Sequence, residues 1–127
     1  MGDALSLIRS RQWFEAHEAV EDLWREANGL QRRHLQGLIH VLVSLEHLRR
    51  GNPRGCHGQW DKARRRLADV PPRFSGLEIQ AWMNELEVFY QRLDLSSAAR
   101  TRTFTQPVPE IESWPVPELA EGDSAVK

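Results

Sequence analysis

Along most of the chain apolar residues recur every three or four positions, the spacing of a helix face rather than of a strand. Trp13, Ala16, His17, Val20, Glu21, Trp24 and Ala27 keep this period and stop at Asn28-Gly29, a good helix end. A longer run from Gln31 to Arg50 carries Leu35, Leu38, Ile39, Leu42, Val43, Leu45 and Leu48 around much of its circumference, which predicts a central helix. Ahead of these, Asp3 is placed to cap a short helix over Ala4–Ser10. Gly51 closes the central helix, Asn52 caps the next, and Pro53 occupies its first position, where a missing N–H does no harm. That helix, Pro53–Ala68, presents Cys56, Trp60, Ala63 and Leu67 on one side, and Gly55 and Gly58 within it imply close approach of a neighbour. Pro71-Pro72 breaks the chain before a last helix over Leu77–Leu93, with Ile79, Trp82, Met83, Leu86, Phe89, Tyr90 and Leu93 facing inward. No alternating pattern competes and no internal repeat is visible, so the expected fold is all-α, a compact bundle of about four to five helices.

Charge separates the two ends of the molecule. Residues 1–100 hold 15 basic and 13 acidic side chains, whereas residues 101–127 hold two basic and five acidic ones together with Pro107, Pro109, Pro115 and Pro117. Prolines at this density block helix formation. Residues 1–95 are therefore read as the folded domain and 96–127 as an extended or disordered, acidic, Pro-rich tail. Ile111, Trp114, Val116 and Leu119 punctuate that tail, enough to lay part of it against the body or a partner. A length of 127 residues suits one domain plus such a tail. A single cysteine excludes a disulfide framework and a Cys-rich zinc module. No apolar run reaches the ~18 residues of a membrane span, and the N-terminus lacks the basic and apolar regions of a secretory signal, so no membrane partner is expected and a cytoplasmic setting is.

One polar stripe stands out. His17, Glu21 and Trp24 share a face of the second helix, and Gln36, His40, Val43 and His47 share a face of the central one. The short link between the helices suggests antiparallel packing, which would let the stripes meet. Ionisable groups beside Trp24 on a partly buried face need partners. One reading is a hydrogen-bonded network that sets helix register. A second is a divalent metal, zinc or iron, on His17, Glu21 and His40 or His47. A third is a metal-free pocket for a small ligand. Were the site catalytic, Glu18 or Glu21 would be its base; the sequence does not decide whether the chain is an enzyme.

Two metal templates are excluded. His17-Glu18-Ala19-Val20-Glu21 lacks the second histidine of His-Glu-x-x-His, and Glu-x-x-His occurs nowhere. Phe14-Glu15-Ala16-His17-Glu18-Ala19-Val20-Glu21-Asp22-Leu23-Trp24-Arg25 instead resembles the His-x-x-x-Glu-x-x-Trp/Tyr signature of the DUF309 family of bacterial and archaeal proteins. Gln36-Gly37-Leu38-Ile39, His47 to Gly55 and Pro71 to Leu77 resemble its later blocks, in the right order over roughly residues 3–93. The resemblance implies a small all-helical fold and little about activity, metal binding being only suggested by the motif. It falls on His17, Glu21 and Trp24, with Gln36, His47 and Asn52 in the later blocks. His40 stands where Gln is expected and Cys56 where Ala is, which makes His47 the better third ligand.

Arg49, Arg50, Arg54, Lys62, Arg64, Arg65 and Arg66 against Asp61 make residues 49–66 basic. RNA is the functional reading of such a run, but no nucleic-acid motif accompanies it, so a solvated face is preferred and nucleic acid is not the expected partner. The acidic tail could also fold back on it. Cys56 near a helix N-terminus reads as a small core residue rather than a nucleophile, and Trp13, Trp60 and Trp82 as core. The oligomeric state is open, although exposed apolar surface on so small a domain often ends in a homodimer. Two functions remain. One is a helical protein with a His/Glu pocket of His17, Glu18, Glu21, Trp24, Gln36, His40, His47 and Asn52, holding a divalent metal on His17, Glu21 and His47. The other is a non-enzymatic interaction module in which the stripe only secures helix packing.

Overall fold

A computed structural model describes residues 1–120. Within them lie α1 (Gly2–Arg9), α2 (Trp13–Glu26), α3 (Gly29–Arg49), α4 (Pro53–Arg66), α5 (Ile79–Arg92) and α6 (Leu95–Thr101), followed by a single 3-10 turn, Ile111–Ser113. The all-α bundle is the one the periodicity predicts, with α6 as an addition. α3 is the axis of the molecule, packed between α2 and α4. Its buried residues, among them Leu35, Leu38, Val41, Leu42, Leu45 and Leu48, come from most sides of the helix. Trp13, Trp60 and Trp82 join them in the core.

Local chemistry explains the boundaries. Asn52 caps α4 as predicted: its Oδ1 accepts from the Gly55 N–H at 2.9 Å, with Pro53 at the start of the helix. Asp3 does not cap α1, which begins at Gly2 rather than Ala4, with Met1 as the flanking residue and Asp3 in the first turn. The glycines of α4 behave differently from one another. A Cβ on Gly55 would meet Asn52 Nδ2 and His47 Nδ1 at 2.7 Å, whereas one on Gly58 would meet nothing within 4 Å, so only Gly55 marks a close approach. On α3, a Cβ on Gly37 would come within 2.6 Å of Leu67 Cγ, and this small residue lets α4 lie down tightly on α3.

The predicted tail departs most from expectation. Residues 95–101 form α6, whose inner face, Leu95 and Ala98, is buried and which packs on α4. Seven residues are too few for a periodicity to be read, and tertiary burial decides the helix. Residues 102–120 begin with a turn and bends and then run without regular structure, except for the 3-10 turn, and part of this stretch is docked on the body. Trp114 is 2% exposed and stacks on Trp13 with centroids 6.5 Å apart and planes 8° apart. The Arg11 guanidinium donates twice to the Trp114 carbonyl, at 2.9 and 2.8 Å. Trp82 Nε1 donates to the Pro115 carbonyl at 3.0 Å, and the Glu78 N–H to the Glu118 carbonyl at 3.0 Å. A Pro-rich strap suits this role: proline has a carbonyl to offer and no N–H to leave stranded when it is pressed against an apolar surface. No ion pair joins its acidic residues to the basic run among the described residues. Residues 121–127, the end of the predicted tail, lie outside the described residues.

Because Trp114 closes the core over Trp13, Trp114→Ala should destabilise the protein by about 3–5 kcal/mol, with Trp114→Phe costing much less. Urea denaturation followed by circular dichroism measures both.

Candidate functional site

α2 and α3 form the antiparallel pair expected from their short link, yet the two polar stripes do not combine into one site. His17 is half-buried; its Nδ1 donates to the Phe14 carbonyl at 3.1 Å, and its Nε2 lies 3.7 Å from Glu21 Oε2. Glu21 is shared with Arg25 at 3.7 Å, and Glu18 is exposed. Trp24 packs at the core margin with the Arg32 guanidinium 3.9 Å over its ring, and Arg32 also donates to the Trp24 carbonyl at 3.0 Å. This stacking ties the end of α2 to the start of α3. At the other end of α3, Asn52 Nδ2 donates to His47 Nδ1 at 3.2 Å, a contact local to the α3–α4 turn.

No group of three or more His, Cys, Asp or Glu is placed to hold a metal ion among the described residues. The expected set of His17, Glu21 and His47 is therefore not assembled: His17 and Glu21 supply two donors, and His47 is turned to Asn52. Helical spacing puts residues on a common face, but it does not set which facing residue on the next helix meets them.

The remaining two candidates, Gln36 and His40, belong to a different place. With Arg33, Lys62, Arg65 and Arg66 they line a cleft of about 430 Å³ between α3 and α4. His40 donates from Nδ1 to Gln59 Oε1 at 2.7 Å. Burial is the largest cause of a His40 pKa below the ordinary imidazole value, opposed by the Gln59 hydrogen bond and reinforced by the charges of Arg66, Lys62 and Arg65. The basic run is thus sorted by its neighbours. Arg49 and Arg50 are held by the buried Glu46 at 2.6 and 2.7 Å, and their hydrogen bonds, Arg49 first, keep its carboxyl below the usual range. Arg64 pairs with Asp61 at 2.6 Å and Glu87 at 3.4 Å. Lys62, Arg65 and Arg66 have no carboxylate partner among the described residues. Arg33, the fourth cation of the cleft, is held by Asp69 at 3.1 Å.

Three polar residues escaped the sequence reading. His34, 2% exposed, donates from Nε2 to Asp69 Oδ1 at 2.9 Å, and this hydrogen bond is the main reason the Asp69 carboxyl sits below its usual range. Ser44 is buried and hydrogen-bonded to the Tyr90 hydroxyl. Glu46 is the third. A signal existed for the first two: His34 and Ser44 fall in register with Leu38, Val41, Leu45 and Leu48 on the core side of α3. Cys56 lies beside Ser44 and Tyr90, and burial pushes its thiol up to about 12.

The family model described as a domain of unknown function, DUF309, matches residues 1–59. A crystal structure of the conserved hypothetical protein TTHA0068 from Thermus thermophilus is similar over 73% of this chain and 94% of that chain, with 33% identity and a TM-score of 0.62. The chain belongs to the DUF309 family. No curated protein matches it. The DUF309 match spans α1 to α3 and the first turn or two of α4, and so includes His17, Glu21 and Trp24 but not Lys62, Arg65 or Arg66.

Two outcomes follow for this DUF309 chain. Cys56 should react with a thiol reagent at about pH 8 at least a hundredfold more slowly in the native state than in denaturant, since a rise of this size leaves about a thousandth of the usual thiolate. In zinc titrations followed by elemental analysis, His17→Ala and wild type should behave alike, while His17→Ala lowers stability by about 1 kcal/mol through its lost hydrogen bond.

Proposed function

We propose that the chain is a non-enzymatic binding module that takes an anionic, phosphate-bearing partner into the α3–α4 cleft. The observation that carries this reading is the gathering of Arg33, Lys62, Arg65 and Arg66 around one concave site, three of them without a carboxylate among the described residues. Like charges held together on a folded surface repel, and an anion relieves that repulsion while accepting charge-assisted hydrogen bonds. Guanidinium groups suit the task, because each offers a planar fork of donors that matches phosphate oxygens.

The His17–Glu21–Trp24 stripe has a packing role in this reading, in line with its contacts to Phe14, Arg25 and Arg32. A divalent metal would have the His17–Glu21 pair alone to support it, and is not the favoured reading. Nucleic acid is not favoured either, since no Phe, Tyr or Trp lines the cleft to stack on a base. The reading places the protein in a reducing, cytoplasmic compartment, supported by a lone cysteine kept as a thiol in the core.

Calorimetric titration with inorganic tripolyphosphate at low ionic strength tests the proposal. Wild type should bind, and the double variant Arg65→Glu/Arg66→Glu, folded by circular dichroism, should bind at least about tenfold more weakly, since a charge-assisted hydrogen bond contributes roughly 1.5–3 kcal/mol. Arg9→Glu, a charge reversal on α1, should change affinity less than about twofold. A wild type that fails to bind, or a double variant that binds as well as wild type, would overturn it.

A further inference from the structure

The lining of the α3–α4 cleft also bears on which phosphate it takes, an inference that rests on the anion-binding reading above. Nearly every side chain there is a donor: three guanidinium groups, one ammonium and the Gln36 amide. The exception is His40. Its Nδ1–H is committed to Gln59 Oε1, and its Nε2 has no hydrogen-bond partner among the described residues. A neutral His40 therefore adds a fixed lone pair to a site whose other side chains, the Gln36 carbonyl apart, present N–H groups. Facing a phosphate oxygen, that lone pair repels; carrying a proton, the same nitrogen becomes one more cationic donor.

We infer that the ligand is a small phosphomonoester bound as its dianion, and that it is bound together with one proton taken from solvent onto His40 Nε2. In the free protein the groups that bear on His40 are Arg66, Lys62 and Arg65 from α4, together with the neutral Gln59, and no carboxylate is among them. Arg33 and Gln36 complete the cleft from α3. Burial first, and then these positive charges, disfavour the imidazolium, and an anion in the cleft cancels the field of the charges. A dianion does this better than a monoanion, which favours a terminal phosphate, with its second pKa near about 6, over a diester that carries one charge. A cleft of about 430 Å³ fits a small molecule, and it offers no Phe, Tyr or Trp for a base to stack on. The proton balance is closed: Nε2 gains a proton from solvent as the ligand enters and returns it as the ligand leaves.

The sign of the pH dependence follows. For a dianion that does not itself titrate, affinity rises as pH falls through the His40 range, and levels off once His40 is protonated in the free protein as well. Sulfate is the clean probe, being a dianion that does not itself titrate near neutral pH. Proton NMR of the histidine rings, with His17, His34, His47 and His57 as internal references, should show sulfate moving the His40 midpoint upward by about one pH unit. Calorimetry in two buffers of different ionisation enthalpy should show proton uptake on binding, with sulfate held several-fold more tightly, up to about tenfold, at about pH 5.5 than at about pH 8. The affinity of His40→Gln should be flat across that interval. Phenyl phosphate should bind at least about tenfold more tightly than a phosphodiester of similar size. Sulfate binding without movement of His40, or a preference for the diester, would overturn the inference. If tripolyphosphate binds and neither sulfate nor phenyl phosphate does, the inference fails while the anion-binding reading stands; if none of the three binds, both fail.

Discussion

A helix of 21 residues with 11 of them buried cannot rest on one neighbour, and the burial of α3 is the constraint from which the rest of the molecule follows. An amphipathic surface helix hides one stripe; α3 has to be covered on most of its circumference. α2 and α4 take its two flanks, and α5 with the strap completes the core around Trp13, Trp82 and Tyr90. Each fully buried leucine on α3 contributes roughly 1.5–3 kcal/mol relative to exposure, against the entropy of ordering the chain. The same burial dictates polar partners. His34, Ser44 and Glu46 are carried into the interior by their positions on α3, and each is met by a group from elsewhere or from the helix's own end: Asp69, Tyr90, and the Arg49–Arg50 pair.

The tight contact of α4 on α3, through Gly37 against Leu67 and Gly55 against His47 and Asn52, decides where the charges go. Cys56, Trp60 and Ala63 occupy the inner side of α4, so the cations between them point outward or over the polar edge of α3. Arg64 finds carboxylates on its own helix and on α5; Lys62, Arg65 and Arg66 are left beside Gln36 and His40. The cleft is a consequence of packing, and its chemistry is set by which cations have an acid within reach. The DUF309 match ends before those three cations.

The strap adds a second lesson about proline. Residues that exclude helix do not exclude order. A segment whose buried carbonyls are met by Arg11 and Trp82, and whose own Trp114 ring slides between Trp13 and Phe89, is held by body donors rather than by a backbone ladder. The Trp114 indole N–H is satisfied within the strap, by the Pro109 carbonyl at 2.9 Å.

What the sequence determined by itself depends on local spacing: an all-α chain, a central third helix, the Asn52-Pro53 cap, and the burial of Trp13, Trp60 and Trp82. These follow from periodicity and backbone chemistry within a few turns of chain. Tertiary structure alone decided which faces meet. His17, Glu21 and His47 are well spaced along their helices and are not gathered, because helix rotation and register are set by the whole core and not by the polar stripe. His40 and Gln36, read as part of that stripe, turn toward α4 and its cations instead. The place where Trp114 docks and the formation of α6 were hidden for the same reason: seven helical residues and one aromatic ring become ordered only when a surface made by distant segments is there to bury them.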